Sequence, residues 1–342
     1  MMAANSDASS LFVRRTCRIL GTGMHVPAAV NSDVIEERHG LPKGWSLKYS
    51  GVSVRHHVTT ETVAELGAQA GQQALKNAGV DLKDIDVLIT GGGSFDQILP
   101  SQAALTLAAM PGGEAARCEA LHVNTTCLSF VSAFALAADK LQLPEINRVL
   151  VISSEVASKG IGPENWETLT LFGDGAAAMV LEATDDPGCG VVAHLHRTYT
   201  EGIKSAEIPG GGIALWFGDC PFSPELHHFQ MDGRDLLRLT LKHVPGFMQD
   251  FFALAGTTWP EVTWTIPHQA SKTGLGIIPK LAQARPDQVV NILEHTGNCI
   301  SASIPMGLHA LMSEGKLKPG DTAMLSGTSA GFAIGSLLYQ HA

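Results

Sequence analysis

The sequence predicts an α/β protein whose buried sheets are stacked in layers and whose two halves resemble each other. Three observations predict it. Short apolar runs alternate with helical stretches along the chain, which is the pattern of α/β layers. The runs are continuous rather than alternating, as strands covered on both faces must be. The order of elements in residues 1–185 returns in residues 186–342, the signature of a duplicated unit. With 45% hydrophobic and 16% charged residues over 342 positions, there is enough apolar material for a packed core.

In order, strands are expected at residues 17–26, 86–93, 120–125, 148–156 and 176–183, then at 262–269, 289–295 and 322–329. Residues 62–80 space their apolar side chains for one helix face, and Gly79 stands where a helix C-terminal cap is wanted. In the first half a helix, the turn 77–86 and the strand 87–93 follow one another. In the second, the helix 244–256, the turn 257–261 and the strand 262–270 repeat that order. Residues 123–141 then match 294–312, and 148–156 parallel 322–332, so the halves would pair across a pseudo-twofold axis.

Composition narrows function. A net charge of −10 argues against nucleic acid, where affinity rests on cations that neutralise phosphates. No stretch approaches the roughly 20 apolar residues of a membrane span, and the N-terminal residues lack an apolar run followed by a cleavage site, so a frayed tail on a cytoplasmic protein is expected. Cys17, Cys118, Cys127, Cys189, Cys220 and Cys299 form no CxxC pair. Reduced thiols are therefore expected, and no zinc site.

Three residues stand out. Cys127 follows a strand and heads a segment that runs eleven residues further without a charge. A helix N-terminus there would stabilise a thiolate; the bland reading is a small hydrophobe in the core. His268 ends an expected strand, where sites collect in α/β folds, although a hydrogen-bonded strand-edge histidine reads as well. Asn298 occupies the repeat position matching the neighbourhood of Cys127, and its amide can donate to a developing oxyanion or simply serve a turn.

In order, the motifs LFGDGAAAMVLE (residues 171–182), PHQAS (267–271), HTGNCISASIP (295–305), EGKLKPGD (314–321) and SAGFAIGS (329–336) resemble the β-ketoacyl-ACP synthase III family of the thiolase superfamily, and the likeness runs from residue 19 to 339. The resemblance implies the thiolase-like, layered αβαβα fold. It also implies Cys127 as nucleophile, His268 and Asn298 as the decarboxylation pair, and an oxyanion hole of the Cys127 and Ala330 N–H groups. The implied reaction acylates Cys127 from an acyl thioester such as acyl-CoA, then condenses it with malonyl-ACP or malonyl-CoA. No metal, flavin or nicotinamide is implied, and the partner is a second copy of the chain.

Departures from the family concern substrate. Trp45 matches a tryptophan that packs on the coenzyme A adenine, but Tyr49 stands where an arginine is usual, Ser271 replaces an asparagine and Thr273 an arginine. Arg238 and Lys272 are candidates for meeting an acidic acyl carrier protein. Ser329 and Ala330 replace glycines of the oxyanion segment. Leu99, in the segment 91–105 that closes a partner's acyl tunnel in this family, stands in place of a phenylalanine and suggests a starter larger than acetyl. Two other functions remain: acyl transfer to an alcohol or amine without decarboxylation, and a non-catalytic partner subunit. Retention of Cys127, His268 and Asn298 weighs against both.

Overall fold

The computed structural model describes residues 14–216, 223–282 and 285–342; Cys220 and the first 13 residues lie outside them. In chain order the first half holds β1 (Cys17–His25), β2 (Ala28–Asn31), α1 (Ser32–Arg38), α2 (Trp45–Tyr49), β3 (Val54–His57), α3 (Val63–Ala78) and β4 (Val87–Gly91). It continues with α4 (Gln102–Ala109), β5 (Glu119–Val123), α5 (Ser129–Lys140), β6 (Arg148–Glu155), α6 (Trp166–Leu169) and β7 (Gly175–Ala183). The second half holds β8 (Gly190–Thr198), β9 (Ala206–Glu207), β10 (Gln230–Met231), α7 (Gly233–Ala255) and β11 (Trp264–Pro267). It closes with α8 (Lys272–Ala282), α9 (Leu293–Thr296), α10 (Ser303–Ser313), β12 (Thr322–Ser329) and β13 (Ala333–Gln340).

Two sheets carry the fold. The first has the order β1-β7-β6-β4-β5 and the second β11-β12-β13-β8. In the first, β1, β7 and β6 run antiparallel in turn, while β6, β4 and β5 are parallel. In the second, β8, β13 and β12 are antiparallel in turn and β12 is parallel to β11. The two orders superimpose strand for strand except at the edge equivalent to β5. There a single parallel bridge, Thr265 to Val289, takes its place.

That edge corrects one expectation: residues 289–295 are not a strand. The Gln269 side chain accepts from the Ile292 N–H at 3.0 Å and donates to the Val290 carbonyl at 3.1 Å. A side chain thus supplies the bonds that a ladder would have made, and Leu293–Thr296 turns into helix. Strands β8 and β13 were not singled out in the sequence; two histidines interrupt the apolar run of β8. The expected helix is present as α3, with a Thr62 and Glu65 capping box at its start and Gly79 in the left-handed conformation at φ 70° after its end.

The layers follow from burial. Helix α5 packs on β4 and β6 of one sheet and on β8 and β13 of the other, and α10 packs beside it between the same sheets. Phe130, Ala133, Phe134 and Ala137 of α5 are wholly buried. The charge-free run after Cys127 is therefore the middle layer, because a helix covered on both sides has no face for a charge. Helix α3 covers the outer face of the first sheet and α7 that of the second. Among the described residues no helix is long and apolar enough to cross a membrane.

Candidate active site

The chain leaves β5 at Val123 and enters α5 at Ser129 through a strained turn. Thr126 has φ 52°, a conformation that non-glycine residues seldom adopt. Three hydrogen bonds hold it: Asn124 Oδ1 accepts from the Thr126 N–H at 3.0 Å, and Ser129 Oγ accepts from the Thr125 N–H at 2.9 Å and donates to the Thr126 carbonyl at 2.7 Å. Cys127 follows, only half-buried. Cys17, Cys189 and Cys299 are buried as the bland reading of a cysteine expects.

The second half repeats this turn. Asn298 Oδ1 accepts from the Ile300 N–H at 2.9 Å, Ser303 Oγ accepts from the Cys299 N–H at 3.0 Å, and Ile300 has φ 47°. Asn298 thus corresponds to Asn124, and the counterpart of Cys127 is Ser301. This refines the sequence pairing, which set Asn298 against the neighbourhood of Cys127. With Oδ1 engaged, the Asn298 amide keeps Nδ2 as a donor.

His268 stands just past β11, its N–H bonded to the Ser326 carbonyl at 2.8 Å. A Cβ on Gly327 of β12 would lie 2.7 Å from the His268 Cβ, so the absence of a side chain there makes room for the imidazole. Burial pushes the His268 ring down to about 4, opposed by a backbone hydrogen bond with Ile300; the ring is neutral at pH 7. Its Nδ1 has no hydrogen-bond partner among the described residues. His268 and Asn298 therefore meet at one turn, which packs against the turn of Cys127.

Burial pushes the Cys127 thiol up to about 12, the charge of Glu155 pushes in the same direction, and backbone hydrogen bonds from Ala330 and from Cys127 itself work the other way. Burial is the largest of these effects, so Cys127 rests as a thiol at pH 7. Thr126 Oγ1 donates to the Ala330 carbonyl at 3.3 Å, joining the cysteine turn to the end of β12.

Residues 171–174 clasp the Asn298 turn. The Asn298 N–H donates to the Leu171 carbonyl at 2.9 Å and the Gly173 N–H donates to the Asn298 carbonyl at 3.1 Å. A Cβ on Gly173 would meet the Thr296 carbonyl oxygen at 2.3 Å, so only glycine lets the strands approach. Buried Asp174 accepts from the N–H groups of Val58 and Ser158, each at 2.8 Å, and ties the clasp to the neighbouring loops.

The remaining expected residues lie elsewhere. Trp45 packs against Tyr49, with ring centroids 4.1 Å apart, and against Trp166 at 4.7 Å. Beside it opens a cavity of about 600 Å³ lined by Trp45, Trp166, Phe229, Glu164, Glu167 and Glu225, with no lysine or arginine among its described lining residues. Phe229 packs edge-on against Phe172 at 5.5 Å, and Phe172 bridges to Asn298, so the cavity adjoins the site. Lys272 Nζ donates to the Leu47 and Lys48 carbonyls, both at 3.1 Å, and pins α2 to α8. Ser271 Oγ accepts from the Gly274 N–H at 3.0 Å at the start of α8. Arg238 is paired with Asp235 at 2.7 Å on exposed α7. Leu99 is 79% exposed beside Phe95 and Ile98. Glu155, Ser301 and Trp166 were missed in the sequence; the only signal for Glu155 was a polar end on an otherwise apolar strand.

Comparison with known proteins shows the family and the fold. The profile of 3-oxoacyl-[acyl-carrier-protein] synthase III matches residues 121–199, and that of its C-terminal part matches residues 252–341. The β-ketoacyl-[acyl-carrier-protein] synthase III of Neisseria gonorrhoeae is 30% identical over 95% of this chain and 99% of its own. The crystal structure of the Aquifex aeolicus synthase III aligns with a TM-score of 0.84 at 24% identity, covering 95% of this chain and 100% of that one. The priming β-ketosynthase of the R1128 polyketide pathway aligns at 0.84 and 25% identity, covering 97% and 99%. The fold is thiolase-like, and on sequence, profile and architecture together the chain belongs to the 3-oxoacyl-[acyl-carrier-protein] synthase III family of condensing acyltransferases.

Proposed function

We propose that the protein is a decarboxylating condensing enzyme that joins a Cys127-bound acyl group to a malonyl thioester. The observation that carries this reading is the meeting of a partly accessible Cys127, approached by the Ala330 and Cys127 N–H groups, with a neutral His268 beside the Asn298 turn. In the first half-reaction the Cys127 sulfur attacks the acyl carbonyl, the two N–H groups stabilise the tetrahedral oxyanion, and the carrier leaves as a thiol. In the second, the His268 ring and Asn298 Nδ2 hydrogen-bond the malonyl thioester oxygen. The enolate formed as CO₂ departs then attacks the acyl carbon on Cys127, giving a β-ketoacyl product and expelling the Cys127 thiolate, which takes up a proton from solvent to restore the thiol.

Neither group needs a charge for this role, which suits a histidine whose burial keeps it neutral. The malonyl carrier is CoA or an acyl carrier protein, and the working unit is a homodimer. The exposed apolar loop of Phe95, Ile98 and Leu99 supports the latter, because apolar side chains this exposed on one loop favour burial by a partner.

The test is intact-protein mass spectrometry with a panel of acyl thioesters, followed by malonyl thioesters. Wild type should gain an acyl adduct that Cys127→Ala lacks and that is discharged only by malonyl donors. Asn298→Ala should keep the adduct and lose about 10²- to 10³-fold of the discharge rate, as expected for one oxyanion donor. An adduct discharged equally by alcohols or amines would establish transfer without decarboxylation instead.

A further inference from the structure

The two halves build the same turn before a middle-layer helix, but only the first copy carries a cysteine at the nucleophile's place. Both copies use the same brackets, an asparagine at 124 or 298 and a serine at 129 or 303. One set of bonds has no counterpart. Thr125 Oγ1 shares a hydrogen bond with Ser132 Oγ of α5 at 2.9 Å, and Ser132 Oγ lies 3.4 Å from His196 Nδ1 on β8. In the second copy Cys299 stands for Thr125, and Met306 of α10 stands for Ser132. Met24 of β1 stands for His196, since it pairs with Ala177 of β7 as His196 pairs with Gly335 of β13. Cys299, Met306 and Ala177 form one buried apolar cluster, and Met24 packs against it. A turn of this shape therefore needs no polar chain, so the chain at Thr125 goes with what only the first copy does.

The chain leads from the turn of Cys127 to the sheet that carries Ala330. Thr125 lies two residues before Cys127. His196 lies on β8, which pairs with β13 and through it with β12, and Ala330 directly follows β12. The neighbouring Thr126 reaches the same place by its 3.3 Å bond to the Ala330 carbonyl. Two adjacent side chains of one strained turn are thus tied to the second sheet. Burial pushes the His196 ring down, so it is neutral at pH 7 and offers one donor and one acceptor. Its Nε2 has no hydrogen-bond partner among the described residues, which leaves Nδ1 as the atom that acts. We propose that Ser132 and His196 are positioning residues which, through Thr125, hold the Cys127 N–H in register with the Ala330 N–H so that both donors meet one oxyanion. The role rests on the acylation of Cys127 proposed above. Oxyanion donors act only when they are fixed before charge develops, and a misplacement of about 1 Å costs up to about 10²-fold in rate.

The experiment follows acyl-adduct formation on Cys127 by rapid-quench intact mass spectrometry, as a function of acyl thioester concentration, in full-length wild type and folded variants. Ser132→Ala should lower the saturating rate about 10-fold and leave the half-saturating concentration unchanged, because the defect falls on the oxyanion and not on binding. Ser132→Thr keeps the hydroxyl and should restore the rate. Thr125→Val should match Ser132→Ala, and the double variant should be no slower than either single one, since both break the same link. His196→Leu should slow acylation, whereas His196→Asn, whose amide replaces Nδ1, should retain it. Unchanged saturating rates in Ser132→Ala and Thr125→Val overturn the proposal, and so does a slowing that is additive in the double variant. If Ser132→Ala fails to fold, Thr125→Val and His196→Leu decide by the same rates. Wild type that gains no adduct sinks the acylation reading and this role with it, whereas a normal adduct formed at unmoved rates sinks this role alone.

Discussion

At the centre of the site a thiol and an imidazole have their ionisation pushed in opposite directions by one cause, burial: Cys127 up to about 12 and His268 down to about 4. Both are therefore neutral at pH 7, since desolvation disfavours whichever form is charged. The histidine carries a consequence for stability. The unfolded chain binds a proton at His268 near pH 6.5 and the folded chain only near 4, so its contribution is full above pH 6.5 and is lost as the pH falls toward 4. Between pH 7 and 5 this amounts to about 2 kcal/mol. Urea unfolding of His268→Gln at the two pH values should show a loss smaller than that of wild type by about this amount; an equal loss would mean that His268 is not buried neutral. Cys127 and His268 were legible as residue types beside expected strands, and Asn298 by its repeat position. Which of their atoms face each other was not, because residues 127, 268, 298 and 330 meet only through the packing of two sheets.

Elements position these groups through close approaches that a single methyl would spoil. Gly173 admits the Thr296 carbonyl against the strand entry, and the Asn298 turn is hung from that contact by two hydrogen bonds. Gly173→Ala should push the turn away, leaving acylation of Cys127 intact while malonyl-dependent discharge falls by 10-fold or more; unchanged discharge would show that the turn is held by other contacts. The aromatic stack at α2 and α6 has a comparable effect on donor choice. Trp45 packs against Tyr49 and Trp166, and the cavity it lines also holds three glutamates, so the phosphates of a nucleotide carrier meet like charge there. Acyl-pantetheine should acylate Cys127 at least as fast as the matching acyl-CoA, and Glu167→Lys should raise the CoA rate selectively. A CoA rate tenfold above pantetheine in wild type would refute the argument.

Across the whole molecule, stability is concentrated where the layers meet. Phe134 of α5 is wholly buried and packs against Tyr339 of β13 with ring centroids 5.6 Å apart. Truncation to alanine there should cost about 3–5 kcal/mol in chemical denaturation; a cost below 1 kcal/mol would mean that the middle layer repacks. At the opposite extreme, the loop of Phe95, Ile98 and Leu99 exposes three large apolar side chains. Leu99→Asp should leave the folded protomer intact and weaken self-association in sedimentation velocity, and an unaltered sedimentation coefficient across micromolar concentrations would remove this loop from the interface.

The sequence by itself determined the alternation of strands and helices, the capped helix α3, the buried charge-free helix behind Cys127 and the repetition of elements between halves. Periodicity, capping and composition act over neighbours in the chain, and neighbours are what a sequence displays. Only the tertiary structure decided that residues 289–295 give way to Gln269 rather than forming a strand, that Asn298 answers to Asn124 and Ser301 to Cys127, that Trp45 packs against Tyr49 and Trp166, and that buried Glu155 accepts from Gly93, Ser94 and Ser301. Each of these depends on hydrogen bonds or ring contacts between segments far apart in the chain, and on burial, which acquires a value only when both sheets have closed over the middle layer.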